Sequence, residues 1–245
     1  MFVSRQLLLL TALAVGWLTL AGVAPAAARA PQSYSQLRVV HAQADVSAVD
    51  VLVDGALAIA ALGFGRDSGY LPLPSGPHTV ALVPSGTSLE ATPGQELRMV
   101  PGHLYTVVAL AAPAAPLALD DESLAPVGGP ALIRLVHATP AAPPLVLTVA
   151  DAATSPVAYG EASPYADAPG GTRPLVVRQV GSDAMLTSIP DATLALDRAY
   201  TFIAVGGGSG ASAVSLLPLL DSTAPGMPTV YRPPGLASGE PRRTE

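Results

Sequence analysis

Two histidines are the first residues with the chemistry of a site. His41 and His137 stand in near-identical segments, Leu37-Arg-Val-Val-His-Ala42 and Ile133-Arg-Leu-Val-His-Ala138. A histidine kept in both could be a base or a metal ligand. Their spacing points to a structural role instead, because in a strand alternate residues share a face. His41 then lies with Leu37 and Val39, and His137 with Ile133 and Leu135. A histidine on an apolar face is expected to be buried and hydrogen-bonded to a nearby carbonyl.

Asp45, Asp50 and Asp54 form the best acidic group, and carboxylates near a turn can supply oxygens to calcium, which takes six to eight. The EF-hand spacing is missing, and outward solvated carboxylates, with Asp54 serving a turn, are the plainer reading. Asp120-Asp121-Glu122 is a second acidic run, at a junction where calcium could stiffen a linker or where the acids are simply solvated. Gly65-Arg-Asp-Ser-Gly69 has a serine in a setting superficially like a protease nucleophile, but no triad can be assigned around Ser68. Gly206-Gly-Gly-Ser-Gly210 is followed by a strand-like segment, so it lacks the helix N-terminus that a phosphate loop needs.

The elements that must hold these residues are β-strands. Val49, Val51 and Val53 alternate with Asp50, Leu52 and Asp54, as do Leu145, Leu147 and Val149 with Val146, Thr148 and Ala150, the pattern of half-buried strands. Asp54-Gly55 suits a two-residue hairpin, and Pro74-Ser-Gly-Pro77 and Pro169-Gly-Gly171 suit tight connections. Strands are expected near 36–41, 48–54, 57–62, 77–84, 96–100, 104–111 and 115–119, about seven. A second set follows near 131–137, 145–150, 155–159, 173–180, 185–188, 191–196, 199–205 and 212–219.

The two sets are copies. Beyond the histidine segments, Phe64-Gly-Arg-Asp-Ser-Gly-Tyr70 recurs as Tyr159-Gly-Glu-Ala-Ser-Pro-Tyr165, and Tyr105-Thr-Val-Val-Ala109 as Tyr200-Thr-Phe-Ile-Ala204. A period near 95 residues is the size of a small domain. The expected fold class is all-β, two tandem immunoglobulin-like antiparallel β-sandwich domains, with Tyr105 and Tyr200 at tyrosine corners. The expected framework is Arg38, His41, Tyr70 and Tyr105 in one copy and Arg134, His137, Tyr165 and Tyr200 in the other.

Composition narrows the surroundings. Half the 245 residues are apolar, enough for sizeable cores, while 12% are charged and the net charge is -6, which argues against nucleic-acid or anionic-membrane partners. Cys is absent, which excludes disulfides and thiolate sites. Lys and Asn are absent too, which excludes Lys-to-Asn isopeptide crosslinks. The only Trp, Trp17, lies in the leader, leaving few aromatic platforms for glycan stacking.

At the N-terminus, Arg5, an apolar run from Leu7 to Val23 and Ala24-Pro-Ala-Ala-Ala-Arg-Ala30 read as a secretory signal peptide over 1–28, cut after Ala26 or Ala28; an uncleaved anchor is the alternative. The organisation expected is signal peptide 1–28, repeats at 35–124 and 130–220, and a disordered Pro/Gly-rich tail at 221–245. No membrane span is expected after cleavage.

Arg38-Val-Val-His-Ala42, Asp45, Ala48-Val-Asp-Val51, Val53-Asp-Gly55 and the later Phe64-Gly65, Ser68 and Tyr70 resemble the pattern of the bacterial domain-of-unknown-function 4397 family. The first copy departs from it at Gln43-Ala44 and Ser47. The second has Thr139-Pro140 and Pro143 there but Ala141, Val146 and Ala150 in place of the acids. The resemblance implies a secreted or surface-associated bacterial protein, often with tandem copies and without an established activity. The expected function is a non-catalytic secreted or cell-envelope module in surface structure, adhesion or scaffolding, with an envelope or extracellular polymer or protein as partner and no cofactor. A secreted small-ligand or calcium-binding protein using the acids of the first copy is the alternative.

Overall fold

The computed structural model describes residues 33–87, 94–112, 114–121, 128–140, 142–182, 184–206 and 214–221. The leader over 1–28, Glu122 and most of the Gly206–Gly210 loop lie outside the described residues. Among the described residues every regular element is a strand, and no helix is long and apolar enough to cross a membrane.

The first repeat holds β1 (Tyr34–His41), β2 (Ala48–Val53), β3 (Ala56–Gly63), β4 (Leu71–Pro74), β5 (Gly76–Pro84), β6 (Gln95–Met99), β7 (Leu104–Ala109) and β8 (Leu117–Asp120). They form two four-stranded sheets in the orders β4-β1-β7-β8 and β3-β2-β5-β6. The second repeat holds β9 (Ala131–Ala138), β10 (Leu145–Val149), β11 (Ala152–Ala153), β12 (Ala166–Ala168), β13 (Gly171–Gln179), β14 (Met185–Leu194), β15 (Ala199–Val205) and β16 (Ser215–Leu220). Their orders, β12-β9-β15-β16 and β11-β10-β13-β14, repeat the first topology strand for strand.

The all-β sandwich class is as the residue pattern indicates. Ladders are antiparallel except β1–β7 and β9–β15, which run parallel at the centre of their sheets. The first repeat has eight strands rather than about seven, because β4 forms on the edge beside β1; the second has eight as well, two of them, β11 and β12, outside the expected set. The segment expected as a strand at 155–159 makes only an isolated bridge, Val157 to Leu145, since Pro156 lacks the N–H that a ladder needs. The separate strands expected at 185–188 and 191–196 are one strand, β14, with a register shift opposite Pro174.

Alternation fills each sandwich. Leu37, Val39, Val49, Val51, Val80, Leu82, Tyr105 and Val107 make the first core, and Ile133, Leu135, Leu145, Leu147, Leu175, Val177 and Phe202 the second. The Asp54-Gly55 hairpin takes left-handed backbone at both residues, φ 52° and 78°, the geometry a two-residue turn needs to follow the strand twist.

A third core joins the repeats. On β1, β7, β9 and β15 the residues between the core positions are also apolar: Val40, Val108, Val136, Ile203 and Val205 pack with Leu110, Leu119 and Leu219. The outer face of one sandwich thus covers the outer face of the other, and the described residues of the two repeats form one compact unit. Four sheets are stacked with three apolar layers between them.

Candidate functional site

Where β1 and β9 face each other, the third core is interrupted by charge. Arg38 and Arg134 each follow an inward-facing residue of their strand and so point into the joint between the repeats; they are 3% and 5% exposed. Asp121 and Asp221, just beyond β8 and β16, are fully buried. Two cations and two anions in an apolar setting are tolerable only if paired and fully hydrogen-bonded.

The pairing is crossed. Arg38 donates to Asp221 Oδ1 at 2.6 Å, and its Nη1 donates to the Leu220 carbonyl at 3.1 Å. Arg134 donates to Asp121 Oδ1, and its Nη1 to the Asp120 carbonyl at 3.1 Å. The first repeat's arginine therefore neutralises the acid that closes the second repeat, and the reverse. Weaker contacts close the set, Arg38 to Asp121 at 3.5 Å and Arg134 to Asp221 at 3.9 Å.

Hydroxyls of the same repeat complete each half. Thr106 Oγ1 accepts from Arg38 Nε and Nη2 at 3.0 and 2.8 Å and donates to Asp121; Thr201 Oγ1 accepts from Arg134 at 2.9 and 2.7 Å and donates to Asp221 at 2.6 Å. Tyr70 donates to Asp121 and Tyr165 to Asp221, both at 2.9 Å. Each ring also lies under its own arginine, with the guanidinium carbon 4.5 Å from the ring centre. Burial first, then the neighbouring Asp121 charge, pushes the Tyr70 hydroxyl far above its usual range. Burial also raises Asp221, with Asp121 adding to the effect and the two arginines opposing it.

Asp121 of the acidic run at the junction is thus not a solvated linker residue, because it is consumed by arginines, threonine and tyrosine. Nor is Asp221 the head of a solvated tail: its N–H donates to the Ala199 carbonyl and its carboxylate is buried.

Both histidines sit at the opposite end of their strands. His41 Nε2 lies 2.9 Å from the Val46 carbonyl while Nδ1 accepts from the Gln43 N–H at 3.3 Å; His137 does the same with Pro143 and Thr139 at 3.1 and 3.2 Å. These contacts assign a neutral ring with the proton on Nε2. Burial lowers both below the usual histidine range. Each ring is met edge-on by Phe64 or Tyr159, so the pair pins the loop that leads into β2 or β10.

Ser68 Oγ accepts the Val39 N–H at 2.9 Å and donates to the Gly69 carbonyl at 2.7 Å; Ser163 makes the same pair with Leu135 and Pro164 at 3.0 and 2.8 Å. Both hydroxyls are spent on backbone beside β1 and β9. Tyr105 and Tyr200 accept the N–H groups of Val100 and Ala195, five residues upstream, at 3.1 and 3.0 Å, which is tyrosine-corner geometry.

The three acids of the first copy go to separate places. Asp45 is exposed in a turn. Asp50 Oδ1 accepts the Ala61 N–H at 2.7 Å. Asp54 accepts from the Thr79 N–H at 2.9 Å and pairs with His78 Nδ1 at 2.7 Å, while His78 Nε2 meets the Pro74 carbonyl at 2.6 Å. Among the described residues no group of three or more His, Cys, Asp or Glu is arranged to hold a metal ion.

Sequence reasoning placed Arg38, Tyr70, Arg134 and Tyr165 in the framework, took Asp121 for a junction acid, solvated or on calcium, and missed Thr106, Thr201 and Asp221. The signal was present: Thr follows the repeated Tyr105 and Tyr200, and each copy's last strand runs into an Asp.

Residues 35–148 match the family model described as a domain of unknown function, DUF4397. The match takes in Arg38, His41, Asp121, Arg134 and His137. No curated protein matches the chain.

Proposed function

From the match of residues 35–148 to the DUF4397 family model we propose that the chain is a non-catalytic structural module of the cell envelope or extracellular space. Its two repeats act as one stiff spacer that presents loops and sheet edges to an envelope polymer or protein. The observation that carries this reading is the crossed network. Its arginines, acids and threonines are buried, its tyrosines half-buried, and all are bonded within the network, so the groups with most chemical potential serve cohesion between repeats. A flexible two-domain chain would have no use for a buried, fully satisfied joint.

The signal-peptide pattern at 1–28 supports export, and the backbone bonds of Ser68, Ser163, His41 and His137 support the non-catalytic part. Immobilised chain should retain envelope material, and a panel of chromogenic ester and glycoside substrates should turn over no faster than in buffer. Turnover abolished by Ser68→Ala, or a chain that retains no envelope component, would overturn the proposal.

A further inference from the structure

The joint between the repeats is twofold in its chemistry. Arg38, Thr106 and Asp121 of the first repeat correspond to Arg134, Thr201 and Asp221 of the second, and each contact recurs in both halves. Both arginines reach a backbone carbonyl of the other repeat at 3.1 Å, and both lie 4.5 Å from the centre of a tyrosine ring. The apolar layer follows the same rule. Val40, Ala42 and Leu119 have Val136, Ala138 and Leu219 as counterparts. Val108 and Leu110 have Ile203 and Val205, so the methylene gained at one position is given up at the other.

Twofold dimers are built in this way, with the same patch on both partners. Here both patches lie in one chain, and the connection between them is short. Residues 122–127 separate Asp121 from Gly128, and Gly129 is already bonded to Asp197 of the second repeat. Among the described residues no strand of one repeat pairs with a strand of the other. Opening the joint therefore breaks no sheet, and each sandwich keeps its own core.

We propose that the joint is also an interface between copies of the chain: the first repeat of one copy closes on the second repeat of another through the same crossed pairs, Arg38 with Asp221 and Arg134 with Asp121. The joint itself selects the partner. A face with a buried arginine, a buried carboxylate and apolar rows needs the complementary set at the same spacing, and the second repeat of every copy carries it. Exchange of identical elements is a low-cost route to association for this reason. The closed chain and the exchanged pair contain the same joints, so contact energy does not separate them and concentration does. A short connection holds two modules at about millimolar effective concentration. Dilute chains thus close on themselves, and exchange gains where copies are packed to about that density.

Two full-length variants test this. Arg38→Glu sets an anion against Asp221 on the first face, and Arg134→Glu sets one against Asp121 on the second, so each variant spoils its own joint. Together they regenerate a wild-type joint, between the first repeat of the Arg134→Glu chain and the second repeat of the Arg38→Glu chain. Refolded as a mixture, they should sediment as a one-to-one dimer with a Kd about tenfold or more below that of either variant alone. The wild type gives a second reading. With a donor dye on Leu57→Cys of one chain and an acceptor on Met185→Cys of another, both exposed sites in a chain without native cysteine, energy transfer should rise with the concentration at which the two are refolded together. A mixture that stays monomeric, a variant that dimerises alone as tightly as the mixture, or wild-type transfer that does not rise with refolding concentration overturns the proposal.

Discussion

Asp121→Asn tests the joint between the repeats most directly. The side chain keeps its shape, but the buried cluster changes from two cations and two anions to two cations and one anion. Arg134 loses its charged acceptor, and Thr106 and Tyr70 lose the carboxylate to which they donate. Removing one partner of a buried ion pair typically costs about 3–5 kcal/mol, because the remaining charge stays desolvated. In a unit of this size each kcal/mol moves the midpoint by about 2–4 °C, so the melt should fall by roughly 6–20 °C. Asp121→Asn combined with Arg134→Met restores charge balance. Thermal and urea melts of the wild type, both single variants and the double variant close a cycle, and residues in one such network should couple by about 0.5–3 kcal/mol. A single variant that loses less than about 1 kcal/mol, or losses that simply add, would refute the claim that this crossed pair joins the repeats.

Three further outcomes follow. The two repeats should unfold in one calorimetric transition, and Ile203→Ala, in the shared layer, should lower stability of the whole unit by about 2–5 kcal/mol; two resolved transitions would show that the shared layer does not couple the repeats. Tyr105→Phe should cost about 1 kcal/mol by stranding the Val100 N–H, measured by urea titration. The histidines should titrate with opposite sign. His41 and His137 have folded pKa values below 6.5, so their contribution is lost as pH falls from 6.5 toward those values. His78 is held above 6.5 by the Pro74 carbonyl and then Asp54, which together outweigh its partial burial, so its contribution is full below 6.5 and is lost as pH rises through its folded value. Ring-proton NMR across that range, with His78→Gln as the assignment control, distinguishes them.

The residue pattern made the sandwiches legible because strands such as β2 are half-buried: Val49, Val51 and Val53 alternate with more exposed neighbours. It concealed the joint for the same reason. Val39-Val40 and Val107-Val108 are apolar on both faces, a mark of strands buried on both sides, yet read as core alone they say nothing of a second covering layer. The roles of His41, His137, Tyr105 and Tyr200 were visible because their partners are near in sequence, within five or six residues. Asp121 and Asp221 were not, because each pairs with the arginine of the other repeat and the acids stand beside segments that look like linker and tail. Charge is usually a sign of solvent; here only the crossed geometry shows that it is interior.

The crossing also sets an order on biosynthesis. Arg38 lies in the first strand made, and its 2.6 Å partner is Asp221, after the last strand. A growing chain can assemble the first sandwich, yet its buried arginine finds its main counter-ion only when the final strand of the second has emerged. Any chain cut short before Asp221, by premature termination or clipping, lacks the main counter-ion of Arg38, so completeness of synthesis is registered at the joint between the repeats.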